Sequence, residues 1–179
     1  MKTVTYSTCW YNFKAKFNKD TYGEWIDNML TNVNNYNLVI YTNEDSFEML
    51  SKYIQPNIKI IVKDHTDFYG YQYEEYWIKN HEKNDLLNEH IDWKVNMLWS
   101  EKINFVKETC ENKYFDTEYY GWCDIGYFRN RNNDSHLDSL KNWPNNEKIL
   151  ALDKNKIHYA LINNDQMYVS YLYEIIRNK

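Results

Sequence analysis

Four short apolar runs punctuate the chain, and segments with helical spacing separate them. Thr3 to Ser7 alternates β-branched and polar residues and reads as a first strand. Asn37-Leu38-Val39-Ile40-Tyr41-Thr42 and Ile58 to Val62 read as the second and third strands. Tyr119 to Cys123 is aromatic-rich and uncharged and reads as a buried central strand. After the first strand, Trp10, Tyr11 and Phe13 fall in a polar loop. Thr21-Tyr22-Gly23-Glu24 then fits a capping box, with Tyr22, Trp25, Ile26, Met29, Leu30 and Val33 at helical spacing behind it. Asn43 is placed to cap a second helix with Phe47, Leu50 and Ile54 on one face, and Pro56-Asn57 makes a turn.

Asp64 to Gln72 reads as a loop, and Tyr73 to Lys83 as a short helix anchored by Tyr76 and Trp77. Asp92 is placed to cap a long helix reaching about Cys110. Its expected apolar stripe is Val95, Leu98, Trp99, Val106 and Cys110, with Ile103 on the margin. Beyond Arg129 the chain turns polar. Asp134 or Ser135 is placed to cap a short helix with Leu137 and Leu140, which Trp143-Pro144 ends. Lys148 to Leu152 and Ile157 to Ile162 read as two further strands. Asn163-Asn164-Asp165 precedes a last helix with Tyr168, Tyr171, Leu172, Ile175 and Ile176.

Strands alternating with helices predict an α/β fold with a mainly parallel sheet and helices on both faces. At 179 residues one domain, 1–179, is expected. Right-handed crossovers place the third, second and first strands and then Tyr119–Cys123 side by side. The switch in direction falls between the first strand and Tyr119–Cys123. Open α/β sheets bind ligands at the carboxyl ends of the strands at such a point. Thr8, Cys9 and Trp10 are then expected to face Asp124 across a crevice.

Composition narrows the classes. The net charge of -5 argues against a nucleic-acid partner. No apolar run approaches a membrane span, and the first residues enter a strand pattern without a signal-peptide core. Cys9, Cys110 and Cys123 form no metal or CxxC pattern. They read as small core groups of a protein in a reducing compartment, which points to the cytoplasm. There is no GxGxxG and no GxSxG. Gly121 and Gly126 have P-loop spacing, but Tyr127 stands where the phosphate-binding lysine belongs, and the histidines form no HExxH.

Asp124 is the residue of interest: two of the four glycines, Gly121 and Gly126, flank it at the end of a buried run. A carboxylate there reads either as a ligand-binding acid or as an Asx-type turn residue. Leu98-Trp99-Ser100-Glu101-Lys102-Ile103-Asn104-Phe105-Val106 resembles the W-x-x-K helix of the HtrL-type glycosyltransferase-like family. Trp122-Cys123-Asp124-Ile125-Gly126-Tyr127-Phe128-Arg129 resembles that family's W-x-D-x-G-x-x-R strand end, and the first two strands resemble its opening. The resemblance covers most of the chain up to Arg129.

The resemblance implies a Rossmann-like, GT-A-type domain. Such a domain moves a sugar from a nucleotide sugar, a UDP-sugar foremost, to a hydroxyl acceptor on a glycan, lipid or protein. The alternative is a degenerate module of that fold that binds a nucleotide sugar or a protein partner without transfer. A metal-dependent phosphoesterase using Asp124 would lack the several ligands of a two-metal site. The resemblance makes Asp124 the acid that holds Mn²⁺ or Mg²⁺, although Gly126 occupies the second position of a DxD. Thr8, Trp10, Thr42, Lys102, Gly126 and Arg129 are the expected nucleotide-sugar-binding residues. Two readings stand for each of several: Lys102 binds phosphate or snorkels at the helix edge, and Arg129 binds phosphate or pairs with Asp134 or Asp138. Trp10 and Tyr11 stack on a base or anchor the loop. Trp99 and Trp122 read as core. Asp165 serves as acceptor base or as a helix cap.

Overall fold

In the computed structural model the structure describes residues 2–129, 140–159 and 165–177. Four strands, β1 (Val4–Trp10), β2 (Asn37–Thr42), β3 (Ile58–Val62) and β4 (Tyr119–Trp122), form a sheet in the order β3-β2-β1-β4. Every pairing is parallel, with Trp10 opposite Thr42 and Ser7 opposite Trp122. The expected order holds. The expectation that Tyr119–Cys123 is central does not, because β4 is the edge strand among the described residues and its four residues are only half-buried. Two runs expected as further strands do not extend the sheet. Lys148–Leu152 gives way to a short helix, α5 (Asn146–Leu150), because the Asn145 side chain accepts the Lys148 N–H and starts a helical turn there. Residues 157–159 are irregular, and the rest of that run, like the proposed caps Asp134 and Ser135 and the apolar Leu137, lies outside the described residues.

Helices cover both faces of the sheet. On one face α1 (Lys19–Leu30) and α2 (Glu44–Ser51) bury Ile26, Met29, Leu30 and Leu50 against Leu38 and Ile40, together with Val33 from the connection after α1. The cap of α1 is Asn18, whose Oδ1 accepts the Thr21 N–H at 2.8 Å, so Thr21 lies inside the first turn and not at its head. Asn43 stands at the N-cap of α2 but makes no side-chain cap bond. The other face carries α3 (Glu74–Glu82) and α4 (Trp93–Asn112), with Asp92 capping α4 through the Lys94 N–H as expected. The last helix is α6 (Gln166–Arg177), on which Met167, Tyr171 and Tyr173 are exposed.

The buried stripe of α4 differs from the apolar one expected. Met97, Glu101, Phe105 and Thr109 are fully buried with Val95 and Leu98, while Trp99, Ile103 and Cys110 are exposed. Two polar residues turn the helix. Thr109 Oγ1 hydrogen-bonds Ser7 Oγ at 2.8 Å and Tyr41 Oη at 2.9 Å. Glu101 accepts the backbone N–H groups of Tyr69 at 2.8 Å and Gly70 at 3.1 Å. This buried carboxylate fixes the start of the 3₁₀ turn Tyr69–Tyr73, and Asp64 caps the turn His65–Asp67 by accepting the Thr66 N–H, where a plain loop was expected. A Cβ at Gly70 would lie 3.1 Å from the Met97 side chain, which would have to give by a few tenths of an ångström.

Candidate functional site

All four strands end on one rim, and β1 runs past β4. The strand pairing of β4 stops at Ser7, three residues before Trp10. Trp10 therefore belongs to the strand and not to a loop; it and Tyr11 are buried anchors. The step leaves Asp124, just beyond β4, beside the upper part of β1. The Cys9 thiol feels both Lys102 and Asp124, while burial pushes its pKa well above the usual thiol value and keeps it protonated.

Lys102 comes from the middle of α4 and Asp124 from the end of β4. Their Nζ and Oδ1 meet at 2.6 Å. The Trp122 indole N–H donates to the same Oδ1 at 3.0 Å, and the Lys102 ammonium lies 5.3 Å from the Trp122 ring centroid. Lys102 is thus aimed at the carboxyl rim, the alternative to snorkelling, and Asp124 is an ion-pair acid as well as a turn residue: its carbonyl accepts the Tyr127 N–H. Both side-chain contacts fall on Oδ1. Oδ2 has no partner among the described residues, and the Asp124 side chain is 55% exposed.

Arg129 does not join that pair. Its Nε donates to the Gly126 carbonyl at 3.0 Å, and its guanidinium lies 4.6 Å from the Trp25 ring. Gly126 is held close to the same ring, where a Cβ would come within 3.1 Å of Trp25. An aromatic row leads from there to β1: Trp25 to Tyr22 at 5.2 Å and Tyr22 to Trp10 at 4.8 Å between centroids. The expected convergence of Lys102, Asp124 and Arg129 is met by the first two in contact. Arg129 is placed further along the rim, and Asp134 and Asp138 lie outside the described residues.

At the other end of the row is a cleft of about 220 Å³ lined by Trp10, Asn12, Lys19, Asp45, Ser46, Glu48 and Met49. Near the carboxyl ends of β1 and β2 are buried polar atoms with no partner among the described residues: Trp10 Nε1, Thr8 Oγ1 and Asn43 Oδ1. Such orphans are uncommon in folded proteins and call for an explanation. Thr42, by contrast, is engaged, donating to the Trp10 carbonyl at 2.7 Å. Asn43 was missed in the sequence because its position announces a cap; only the structure shows that the side chain does not make one.

Asp165 caps α6, accepting the Met167 N–H at 2.9 Å, and heads a helix whose described side chains are mostly exposed. Trp99 is exposed, not core, and Trp122 is half-buried. A divalent metal fits the rim poorly. Mn²⁺ and Mg²⁺ take several oxygen ligands, yet no group of three His, Cys, Asp or Glu residues that could hold an ion occurs among the described residues. Asp124 offers a single carboxylate, already paired with an ammonium. No helix among the described residues is long and apolar enough to cross a membrane. No family model matches the chain, and no curated protein or solved structure matches it either.

Proposed function

We propose that the carboxyl rim binds a nucleotide sugar and that the chain transfers the sugar to a hydroxyl acceptor, as a GT-A-type glycosyltransferase does. The observation that carries this reading is the meeting of Lys102 and Asp124 at 2.6 Å on the ligand-binding rim of a parallel sheet. Lys102 and Asp124 lie 22 residues apart, in the two motifs that contribute them. Both belong to the HtrL-type resemblance, which takes in the first two strands as well.

The rim offers three kinds of group for three parts of the ligand. The cleft at Trp10 has an aromatic edge and the polar side chains of Asn12 and Ser46, suited to an uncharged nucleoside. Asp45 and Glu48 line the same cleft and are acceptors for ribose hydroxyls. Lys102 and Arg129 supply positive charge for the diphosphate. Asp124, through Oδ2, accepts a hydrogen bond from a hydroxyl of the donor sugar. In transfer, the acceptor oxygen forms a bond to the anomeric carbon as the bond from that carbon to the diphosphate oxygen breaks. The electron pair leaves with the diphosphate, where Lys102 lowers the cost of the developing charge. The acceptor proton passes to a base or to solvent.

A module that binds without transferring is favoured by one observation: Asp165, the expected base, is engaged as the cap of α6. A thermal-shift screen of nucleoside diphosphates and nucleotide sugars tests the proposal. A ligand at 100 times its Kd stabilises by about 2.7 kcal/mol, roughly 5–10 °C for a chain of this size. A shift with a nucleotide sugar followed by release of the nucleoside diphosphate in the presence of acceptors supports transfer. A shift without turnover selects the binding module, and no shift with any nucleotide rejects both.

A further inference from the structure

The charge on Asp124 decides what can sit beside it. Lys102 contacts Oδ1 at 2.6 Å from one side and the Trp122 indole N–H contacts it at 3.0 Å from another. The lysine is held in that place by the indole ring as well, 5.3 Å from the ammonium. Its side chain is 29% exposed, so the ion pair is only partly screened by solvent. A divalent cation bound to Asp124 would lie within a few ångströms of the ammonium. Like charges at that distance repel, and one of the two must leave.

The remaining ligands do not compensate. Among the described residues no second acid, histidine or cysteine joins Asp124 in a group able to hold an ion. Residue 126, two positions on, is a glycine, buried and without a side chain to offer. The rim carries a second fixed cation instead. Arg129 is oriented by the Gly126 carbonyl through Nε and by the Trp25 ring, and among the described residues its two terminal nitrogens have no partner. A guanidinium held in this way presents paired donors to phosphate oxygens.

We propose that this site holds the diphosphate without a divalent metal, Lys102 and Arg129 together supplying the charge that a metal would otherwise supply. The proposal rests on the nucleotide-sugar reading above and departs from the metal-bound acid that the motif resemblance implies. Asp124 then acts as a positioning residue for Lys102. It keeps the ammonium at the rim until phosphate oxygens share it.

The test is calorimetric titration of UDP, and of uridine as the phosphate-free probe, into the full chain in EDTA, in Mg²⁺ and in Mn²⁺. The expected result is a wild-type UDP affinity that changes by no more than about twofold between EDTA and Mn²⁺, because no ligand of the diphosphate is a metal. Lys102→Ala should weaken UDP about tenfold or more in EDTA, the loss expected for a charge-assisted hydrogen bond, and leave uridine unchanged. Mn²⁺ should restore part of that loss, since the substitution frees Asp124. Lys102→Arg keeps the charge and should stay close to wild type, which separates loss of charge from loss of fold; circular dichroism checks the fold of each. Wild-type UDP binding that appears only with Mn²⁺ or Mg²⁺ overturns the metal-free site and leaves the nucleotide reading standing. Absence of UDP binding in all three buffers overturns both.

Discussion

The two rims of the sheet hold clefts of opposite character. The amino rim has the larger one, about 550 Å³, lined by Lys2, Asn34, Asn35, Asn37, Pro56, Asn57, Asp116 and Asn146. Its key polar groups are engaged within the fold. Asn57 Nδ2 donates to the carbonyls of Val33 and Tyr36, both at 2.9 Å, and Lys2 Nζ donates to the Asn34 carbonyl. Asn146 accepts the Thr3 hydroxyl at 2.9 Å. The smaller cleft lies on the carboxyl rim, where Trp10 Nε1, Thr8 Oγ1 and Asn43 Oδ1, buried at the ends of β1 and β2, have no partner among the described residues. Volume alone would choose the amino rim. Unengaged hydrogen-bonding groups and a charged pair choose the other, where parallel sheets bind ligands. The amino-rim asparagines tie together the turns that feed β2 and β3.

This contrast gives its largest effect at Asn57. Asn57→Ala removes two hydrogen bonds; the Val33 carbonyl keeps the Gln55 Nε2–H at 3.1 Å while the Tyr36 carbonyl loses this donor, so the chain should be destabilised by about 1–2 kcal/mol. UDP affinity should stay within about twofold of wild type once the melting point is allowed for. Denaturant unfolding and calorimetry measure both quantities; intact stability with lost UDP binding would reverse the assignment of the rims.

A smaller effect, opposite in sign, is expected at the orphan hydroxyls. Thr8→Val removes a buried hydroxyl that has no partner among the described residues and should be neutral or stabilising by up to about 1 kcal/mol, while UDP binding weakens. Tyr36→Phe is the control. The Tyr36 hydroxyl is also without a partner among the described residues, but its ring packs against Tyr6 and Trp143, away from the Trp10 cleft. It should leave stability unchanged or slightly higher and UDP affinity unaltered. Equal losses of UDP affinity in the two variants would remove Thr8 from the site.

The strands and their order were legible because Leu38–Thr42, Ile58–Val62 and Tyr119–Trp122 are short β-branched or aromatic runs bounded by turn and helix-start signals, and right-handed crossovers leave few ways to arrange them. The pairing of Lys102 with Asp124 was legible only as a possibility, from chain lengths and motif resemblance. Three features were not legible. The rotation of α4 depends on Glu101 and Thr109, polar residues that an apolar count skips; their partners Tyr69, Gly70, Ser7 and Tyr41 are distant in sequence. Asn145 outweighed the strand pattern of Lys148–Leu152 by a single side-chain bond. The edge position of β4 could not be read from Tyr119–Cys123, because aromatic residues that lie half-buried at an edge carry the same pattern as a central strand.

The most direct test of the account is hydrogen exchange of the full chain with and without saturating UDP, read peptide by peptide by mass spectrometry. The account predicts slower exchange in peptides covering Thr8–Asn12, Thr42–Ser46 and Trp122–Arg129, with those covering Lys2–Thr3, Asn34–Asn37 and Gln55–Ile58 unchanged. Protection at the amino rim with none at Trp122–Arg129 would contradict it.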